Sequence, residues 1–171
     1  MRTNRGTPTG LGACRMNCVL PAGAELKTVE ARLDAAIGDP NCFAAARIDA
    51  DFASLTARSV PRQTPPYRPL AEVAKQQSVF PFSGAQGTLV GLRGPAFVRG
   101  LGVPGWHWHF LTADRKRGGH VMAFTLAQNA QPEAKIMRLR RFSLTLPDAG
   151  LQGLDLTRDR ADELRSVESG R

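Results

Sequence analysis

The sequence has few cysteines, no long apolar run and only three histidines. Cys14, Cys18 and Cys42 are an odd number among 171 residues, with no second closely spaced pair. This argues against a structural zinc site built from cysteines and against a disulfide framework, and it predicts a protein of the reducing cytoplasm. No apolar stretch is long enough for a transmembrane helix. No apolar run follows Arg2 and Arg5, as it would in a secretory signal.

The sequence also lacks the motifs of several common enzyme and binding classes. It contains no phosphate-binding glycine motif, no Gly-x-Ser-x-Gly elbow and no internal repeat. The net charge of +8 raises an anionic ligand or nucleic acid as a partner. However, the charges are spread, and the densest group, Arg138, Arg140 and Arg141, has no interleaved aromatic residues. We interpret that group as a solvated strand face, and we expect neither a nucleic-acid nor a membrane partner.

Glycine and proline are frequent and dispersed, with 17 and 12 copies, which favours many short strands and turns over a helix bundle. The clearest helix is Glu25–Ile37, where apolar residues recur at steps of three and four. Strands are predicted within Phe43–Phe52, Leu55–Gln63, Gly87–Leu92 and Ile136–Leu146. The sequence therefore predicts a mixed α/β fold dominated by β-structure. We expect a curved antiparallel sheet or barrel with one flanking helix and part of a second sheet.

The two ends of the chain carry weaker patterns. Residues 1–21 show no periodicity, and we expect them to be irregular and disordered. Near the other end, Phe142, Leu144 and Leu146 alternate with polar residues, which predicts a half-buried strand. The final segment, Thr157–Arg171, is highly charged and mildly helical.

All three histidines lie in one stretch, Gly105–His120. Side chains on a strand alternate between faces, so His107 and His109 point to the same side. The aromatic residues beside them then point to the other side, toward a core. The charged segment Thr112–Gly119 ends in two glycines and predicts a hairpin connection. The returning strand would bring His120 beside His109.

Three converging imidazoles are a typical ligand set for a catalytic metal. Zinc takes nitrogen ligands at about 2.0–2.1 Å and keeps a position open for water or substrate in catalytic sites. Zinc is therefore the predicted cofactor, although imidazole ligands alone also suit copper, nickel, iron and manganese.

Arg58 is a second candidate, because it lies among apolar residues of a predicted strand. Spacing alone leaves two interpretations open. The residue is either at a sheet edge, with its charged end reaching solvent, or a clamp for an anionic group.

Four stretches of the sequence together resemble the α-acetolactate decarboxylases. They are Phe43–Asp49 with Phe52; Arg58–Gln63 with Pro66–Leu70 and Glu72–Val73; Gly87–Gly91; and Val103–Phe110 with Asp114–Arg115 and Gly118–Val121. The last stretch, which contains the histidines, is the most specific. The resemblance implies one domain of this kind over residues 22–171.

The resemblance implies a zinc-dependent lyase. Such enzymes convert (S)-2-acetolactate to (R)-acetoin and carbon dioxide in acetoin and 2,3-butanediol biosynthesis. By resemblance, His107, His109 and His120 are the zinc ligands and Arg58 is the active-site arginine. Glu168 matches a glutamate near the family's C-terminus, with Glu163 as the alternative. The resemblance to this family also implies a homodimer.

One departure from the family pattern concerns the beginning of the chain. Family members normally carry an N-terminal segment with a pattern like Leu-Asp-Gly-Glu, whose glutamate belongs to the active site. Nothing in Met1–Pro21 matches it. The resemblance therefore predicts a member that lacks this segment, binds zinc and decarboxylates poorly.

Three other interpretations remain at this stage. Metal enzymes of the cupin kind also use His-x-His, but they usually place a glutamate three or four residues after the second histidine, where this sequence has Thr112 and Ala113. A non-catalytic anion or nucleic-acid binder is suggested by the charge of +8. The third is an inactive remnant whose histidines hold zinc for stability alone.

Overall fold

The computed structural model describes residues 15–64, 68–129 and 131–146, together with Asp148, Asp155 and Val167. The strands are β1 (Arg15–Val19), β2 (Phe43–Ser59), β3 (Ser78–Gly94), β4 (Gly105–Thr112), β5 (Gly118–Leu126) and β6 (Glu133–Leu139). The α-helices are α1 (Leu26–Ile37) and α2 (Leu70–Ala74), and a short 3-10 helix spans Ala96–Val98. No helix among these residues is long and apolar enough to cross a membrane.

All six strands belong to one antiparallel sheet in the order β1-β6-β2-β3-β4-β5. An additional pairing joins β2 to β5, so that β2, β3, β4 and β5 close into a ring. One edge of β2 is shared, with β6 along its first half and β5 along its second. The predicted β-dominated fold with a curved, barrel-like sheet is confirmed. The partial second sheet is not found in the described part of the chain, because β6 and β1 extend the first sheet instead.

Helix α1 covers one face of this sheet. Its apolar positions Val29, Leu33 and Ile37 are buried in the main core, as the periodicity predicts. The helix ends at Gly38, which has φ 67° and donates its N–H to the Asp34 carbonyl at 2.9 Å. At the same end, the Arg138 guanidinium of β6 donates to the Ile37 carbonyl. A cation at this position also complements the negative end of the helix dipole.

The interior of the strand ring is filled by aromatic side chains. Phe52, Phe82, Phe110 and Phe124 come from four different strands, and their rings meet edge to face at centroid distances of 5.3–5.7 Å. This is the geometry that ring quadrupoles favour. The packing fixes which face of β4 and β5 points inward, and therefore which face carries the histidines.

The prediction that residues 1–21 are irregular is wrong for Arg15–Val19, which forms β1. This strand pairs with β6 along its full length. Of its five side chains only Cys18 is buried, so the segment shows little of the apolar alternation by which a strand is recognised. Residues 1–14 lie outside the described part of the chain.

Two strands are longer than their sequence patterns suggest. Phe43–Ser59 is one continuous strand and not two. Its pairing with β5 shifts register at two places, which interrupts the alternation without ending the strand. β3 begins at Ser78, well before the predicted Gly87. Pro81 argues against a strand in this early part of β3, because proline is rare inside strands. It is tolerated because β4 pairs with β3 only from Gly87 onward, which leaves Pro81 on an edge segment.

The predicted strand Ile136–Leu146 is only half right, since β6 ends at Leu139. The alternating residues Phe142, Leu144 and Leu146 are 52%, 54% and 63% exposed, and they are not in a strand. The reason is the lack of a partner: β2 begins at Phe43, which pairs with Leu139, so no part of β2 lies beyond that point.

Candidate metal centre

The two faces of β4 differ as the alternation predicts. Trp108 and Phe110 are 2% and 3% exposed and belong to the core. On the opposite face, His107 is half-buried and His109 is exposed. The pleat of one short strand therefore separates a buried aromatic side from an accessible imidazole side.

The predicted hairpin is confirmed, with His109 directly opposite His120 in the pairing of β4 and β5. Its turn is held by Thr112, whose hydroxyl donates to Asp114 Oδ1 at 2.6 Å and accepts from the Arg117 N–H at 3.1 Å. The bond from the Thr112 hydroxyl, with that from the Lys116 N–H at 3.0 Å, holds the pKa of Asp114 below its usual value.

The three imidazoles lie close together. Each of His107, His109 and His120 offers a ring nitrogen, and these three atoms all lie within 4.8 Å of one another. The Nε2 atoms of His107 and His109 are 3.0 Å apart. A tetrahedral zinc with bonds of about 2.0–2.1 Å places its ligands roughly 3.4 Å apart, so small side-chain rotations adapt this group to the ion. The donor set fits a metal, and its identity is not fixed by imidazoles alone.

Arg58 lies in the same region. It is directly opposite His120 in the pairing of β2 with β5, and side chains directly opposite each other project from the same face of a sheet. Arg58 is 5% exposed, and β2 is paired on both edges at this point. The interpretation as an edge residue reaching solvent is therefore wrong. Its Nη1 donates to Gln77 Oε1 at 3.0 Å, which fixes the direction of the guanidinium.

The reverse face of β4 is fastened to α1 by two hydrogen bonds. The Trp106 indole N–H donates to Asp34 Oδ1 at 2.9 Å, and the Trp108 indole N–H donates to Glu30 Oε1 at 3.2 Å. No pattern in the sequence predicted these two carboxylates, or Gln77 beside Arg58. The helix periodicity carried a partial signal, because residues four apart lie on one side of a helix.

The remaining predicted site residues, Glu163 and Glu168, lie outside the described residues. Their neighbour Val167 is 6% exposed. Two open surface cavities of about 340 and 380 Å³ lie along β3, near the hairpin turn and near Asp49 and Asp51 respectively. Neither is lined by the histidines.

Comparison with known proteins relates this arrangement to one family. A family model described as alpha-acetolactate decarboxylase matches residues 15–152. The chain belongs to the alpha-acetolactate decarboxylase family. It is 38% identical over 150 residues to the alpha-acetolactate decarboxylase of Methanosarcina mazei, covering 87% of this chain and 51% of that protein. It is 40% identical over 139 residues to that of Raoultella terrigena, covering 80% and 52% respectively.

Membership of the alpha-acetolactate decarboxylase family is supported by the fold. The crystal structure of the Bacillus subtilis strain 168 decarboxylase superposes with a TM-score of 0.82 at 30% identity, covering 90% of this chain and 65% of the other. The resemblance stated from the sequence is therefore confirmed. The chain spans about half the length of the curated alpha-acetolactate decarboxylases that it matches.

Proposed function

We propose that this chain carries out the zinc-dependent decarboxylation of (S)-2-acetolactate to (R)-acetoin and carbon dioxide, in cytoplasmic acetoin and 2,3-butanediol biosynthesis. The observation that carries the proposal is the convergence of three imidazoles beside a buried arginine on one face of the sheet. Family membership supports the choice of substrate. We assign the metal to His107, His109 and His120.

The position of Arg58 suits an anionic substrate. A guanidinium binds a carboxylate through a two-pronged, charge-assisted hydrogen bond, and the pair is stronger away from water. Arg58 is buried, is directed by Gln77 and lies across from His120. A carboxylate held there would keep the neighbouring carbons of the substrate at the metal centre.

Acetolactate carries a carboxylate, a hydroxyl and a ketone on adjacent carbons, and these groups match the proposed site. When bound, zinc supplies a Lewis acid for the hydroxyl and ketone oxygens. Arg58 holds the carboxylate while the bond between the carboxylate carbon and its neighbour breaks. The electron pair of that bond passes toward the ketone, which gives carbon dioxide and an enediolate. A proton delivered to the carbon that lost the carboxylate completes acetoin.

The proton donor in this scheme is a carboxylic acid, which suits general acid catalysis. We assign this role to Glu168, with Glu163 as the alternative. Delivery of the proton to one side of the planar enediolate would set the configuration of the product. We also propose that the chain acts as a homodimer without a nucleic-acid partner.

The proposal is tested by loading the 171-residue chain with zinc and measuring carbon dioxide and acetoin from acetolactate. Activity is expected to disappear with a chelator and to return with zinc. Arg58→Leu is expected to lower kcat/KM about a hundredfold, or about 3 kcal/mol, because the carboxylate loses its partner. Arg58→Lys keeps the charge without the planar guanidinium, so its kcat/KM should lie between those of the unmodified chain and Arg58→Leu.

Acetoin formation that survives both the chelator and Arg58→Leu would contradict the proposed mechanism. A protein that binds zinc but forms no acetoin would favour the non-catalytic interpretation.

A further inference from the structure

The strand that carries two of the histidines is bonded on its reverse face to α1. Glu30 and Asp34 are four residues apart on α1 and so lie on one side of the helix. Each accepts a hydrogen bond from one indole of β4, at 3.2 Å from Trp108 and 2.9 Å from Trp106. The two indoles stack on each other at a centroid distance of 4.9 Å with an interplanar angle of 16°. Two carboxylates on α1 thus meet two stacked rings on β4.

The attachment of Asp34 extends to a second strand. Asp34 Oδ1 also accepts from the Arg93 guanidinium of β3 at 2.7 Å, and Arg93 is directly opposite Trp106 in the sheet. The same guanidinium donates to the Cys42 carbonyl at 2.8 Å, just before β2. Asp34 therefore connects α1 to β3 and β4 together. The connection fixes the position of β4 relative to its neighbour as well as to the helix.

The geometry transmits this restraint to the imidazoles. Trp106 and Trp108 flank His107 on both sides, and His109 follows directly. When both indoles are fixed in position and direction, the backbone between them has little freedom, and the Cα–Cβ directions of His107 and His109 are set. Only the side-chain torsions of the two histidines remain to be adjusted when a metal binds. A site arranged in advance loses less conformational freedom on binding.

We propose that Glu30 and Asp34 are positioning residues for the three-histidine metal centre, acting through the indole N–H groups of Trp108 and Trp106. This inference rests on the metal site of the proposed function but not on decarboxylation. In this proposal, α1 holds β4 in the position that directs the imidazoles of His107 and His109 toward the same metal ion. If these contacts were purely structural, they would stabilise the fold without changing the affinity for the metal.

Zinc affinity of the full chain, measured by competition with a chromophoric chelator, separates these two roles. Glu30→Leu removes the acceptor, and Trp108→Phe removes the donor while keeping an aromatic ring. Each is expected to weaken zinc binding about tenfold, the low end of the loss seen when partners of ligating residues are removed. Glu30→Gln, which keeps an acceptor oxygen, should restore affinity to near that of the unmodified chain. Lys27→Ala is the matched control, since Lys27 pairs with Glu30 from an exposed position at 3.4 Å.

The visible absorption of the cobalt-loaded protein gives a second readout, because it depends on the arrangement of the ligands around the ion. A changed cobalt spectrum in Trp106→Phe and Trp108→Phe, with folding verified by circular dichroism, would support positioning. Zinc affinity and cobalt spectra that are the same in all folded variants would overturn it and leave the proposed function untouched. Failure of the unmodified chain to bind either metal would overturn this inference together with the zinc site itself.

Discussion

The two faces of β4 show how one short strand serves two purposes. The Trp106 and Trp108 face is packed against the core and bonded to α1. The His107 and His109 face is half-buried to exposed, and its ring nitrogens converge with that of His120. Alternation alone places these two sets of side chains on opposite sides.

On β4, the residues that anchor the strand and those that face a ligand are separated by side of the strand and not by position along it. The indoles provide buried area and fixed direction, so they contribute to the stability of the fold. The imidazoles of His107 and His109 are less buried, so they contribute little to the stability of the fold. Changes on the two faces of β4 should therefore have different consequences.

The largest effect is expected from a change on the imidazole face. His109→Ala removes one of three ligands and should abolish zinc binding at micromolar metal, because two imidazoles do not complete a zinc site. His109 is exposed, so the free energy of unfolding of the metal-free protein should change by less than about 0.5 kcal/mol. Zinc titration and urea unfolding of the same variant provide the two measurements. A large loss of stability without metal would show that the faces are not separate.

An intermediate effect is expected on the indole face, at Gly91. A Cβ atom added at this position would lie 2.5–2.8 Å from the Trp108 ring, which is in turn fixed by Glu30. Gly91→Ala should therefore lower the free energy of unfolding by about 1–3 kcal/mol, as overpacking does. Urea unfolding of the metal-free protein measures the loss.

Gly102→Ala is the matched control for Gly91→Ala, since its Cβ would approach no described atom closer than 4.0 Å. Equal stability of the two glycine variants would show that the indole side of β4 has space to adjust.

The smallest effect concerns the hairpin turn that joins the histidine strands. The pKa of Asp114 is lowered by the Thr112 hydroxyl and the Lys116 N–H. A carboxyl group whose pKa is lower in the folded protein contributes stability above its unfolded pKa, and that contribution is lost as the pH falls through the folded value. Metal-free wild type should therefore lose slightly more stability than Asp114→Asn below about pH 4. Urea midpoints at neutral and acidic pH test this, and parallel pH profiles would contradict it.

The sequence predicted the histidine hairpin because all its signals are local. Alternating histidines and aromatics, a charged turn and two glycines occur within Gly105–His120, and the core helix follows from periodicity in the same way. Glycine is required at position 118 for a steric reason, since a Cβ there would collide with the Phe110 carbonyl.

What the sequence could not show depends on contacts between distant segments. The end of β6 is set by where β2 begins, so the apolar alternation of Phe142 and its neighbours predicted a strand that has no partner. The bonds from Trp106 and Trp108 join β4 to a helix more than seventy positions away. No local pattern records such pairings, because the register between segments is fixed only when the core packs.

The shared edge of β2 has a consequence for how the protein reaches its native state. Arg58 and His120 become neighbours only when the second half of β2 pairs with β5 and closes the ring. Such contacts between distant parts of a chain form slowly, since a long loop must close before any interaction compensates for the lost entropy. The histidine hairpin is local by comparison and can form early. During refolding, the hairpin of His109 and His120 should therefore form before Arg58 and His120 become neighbours.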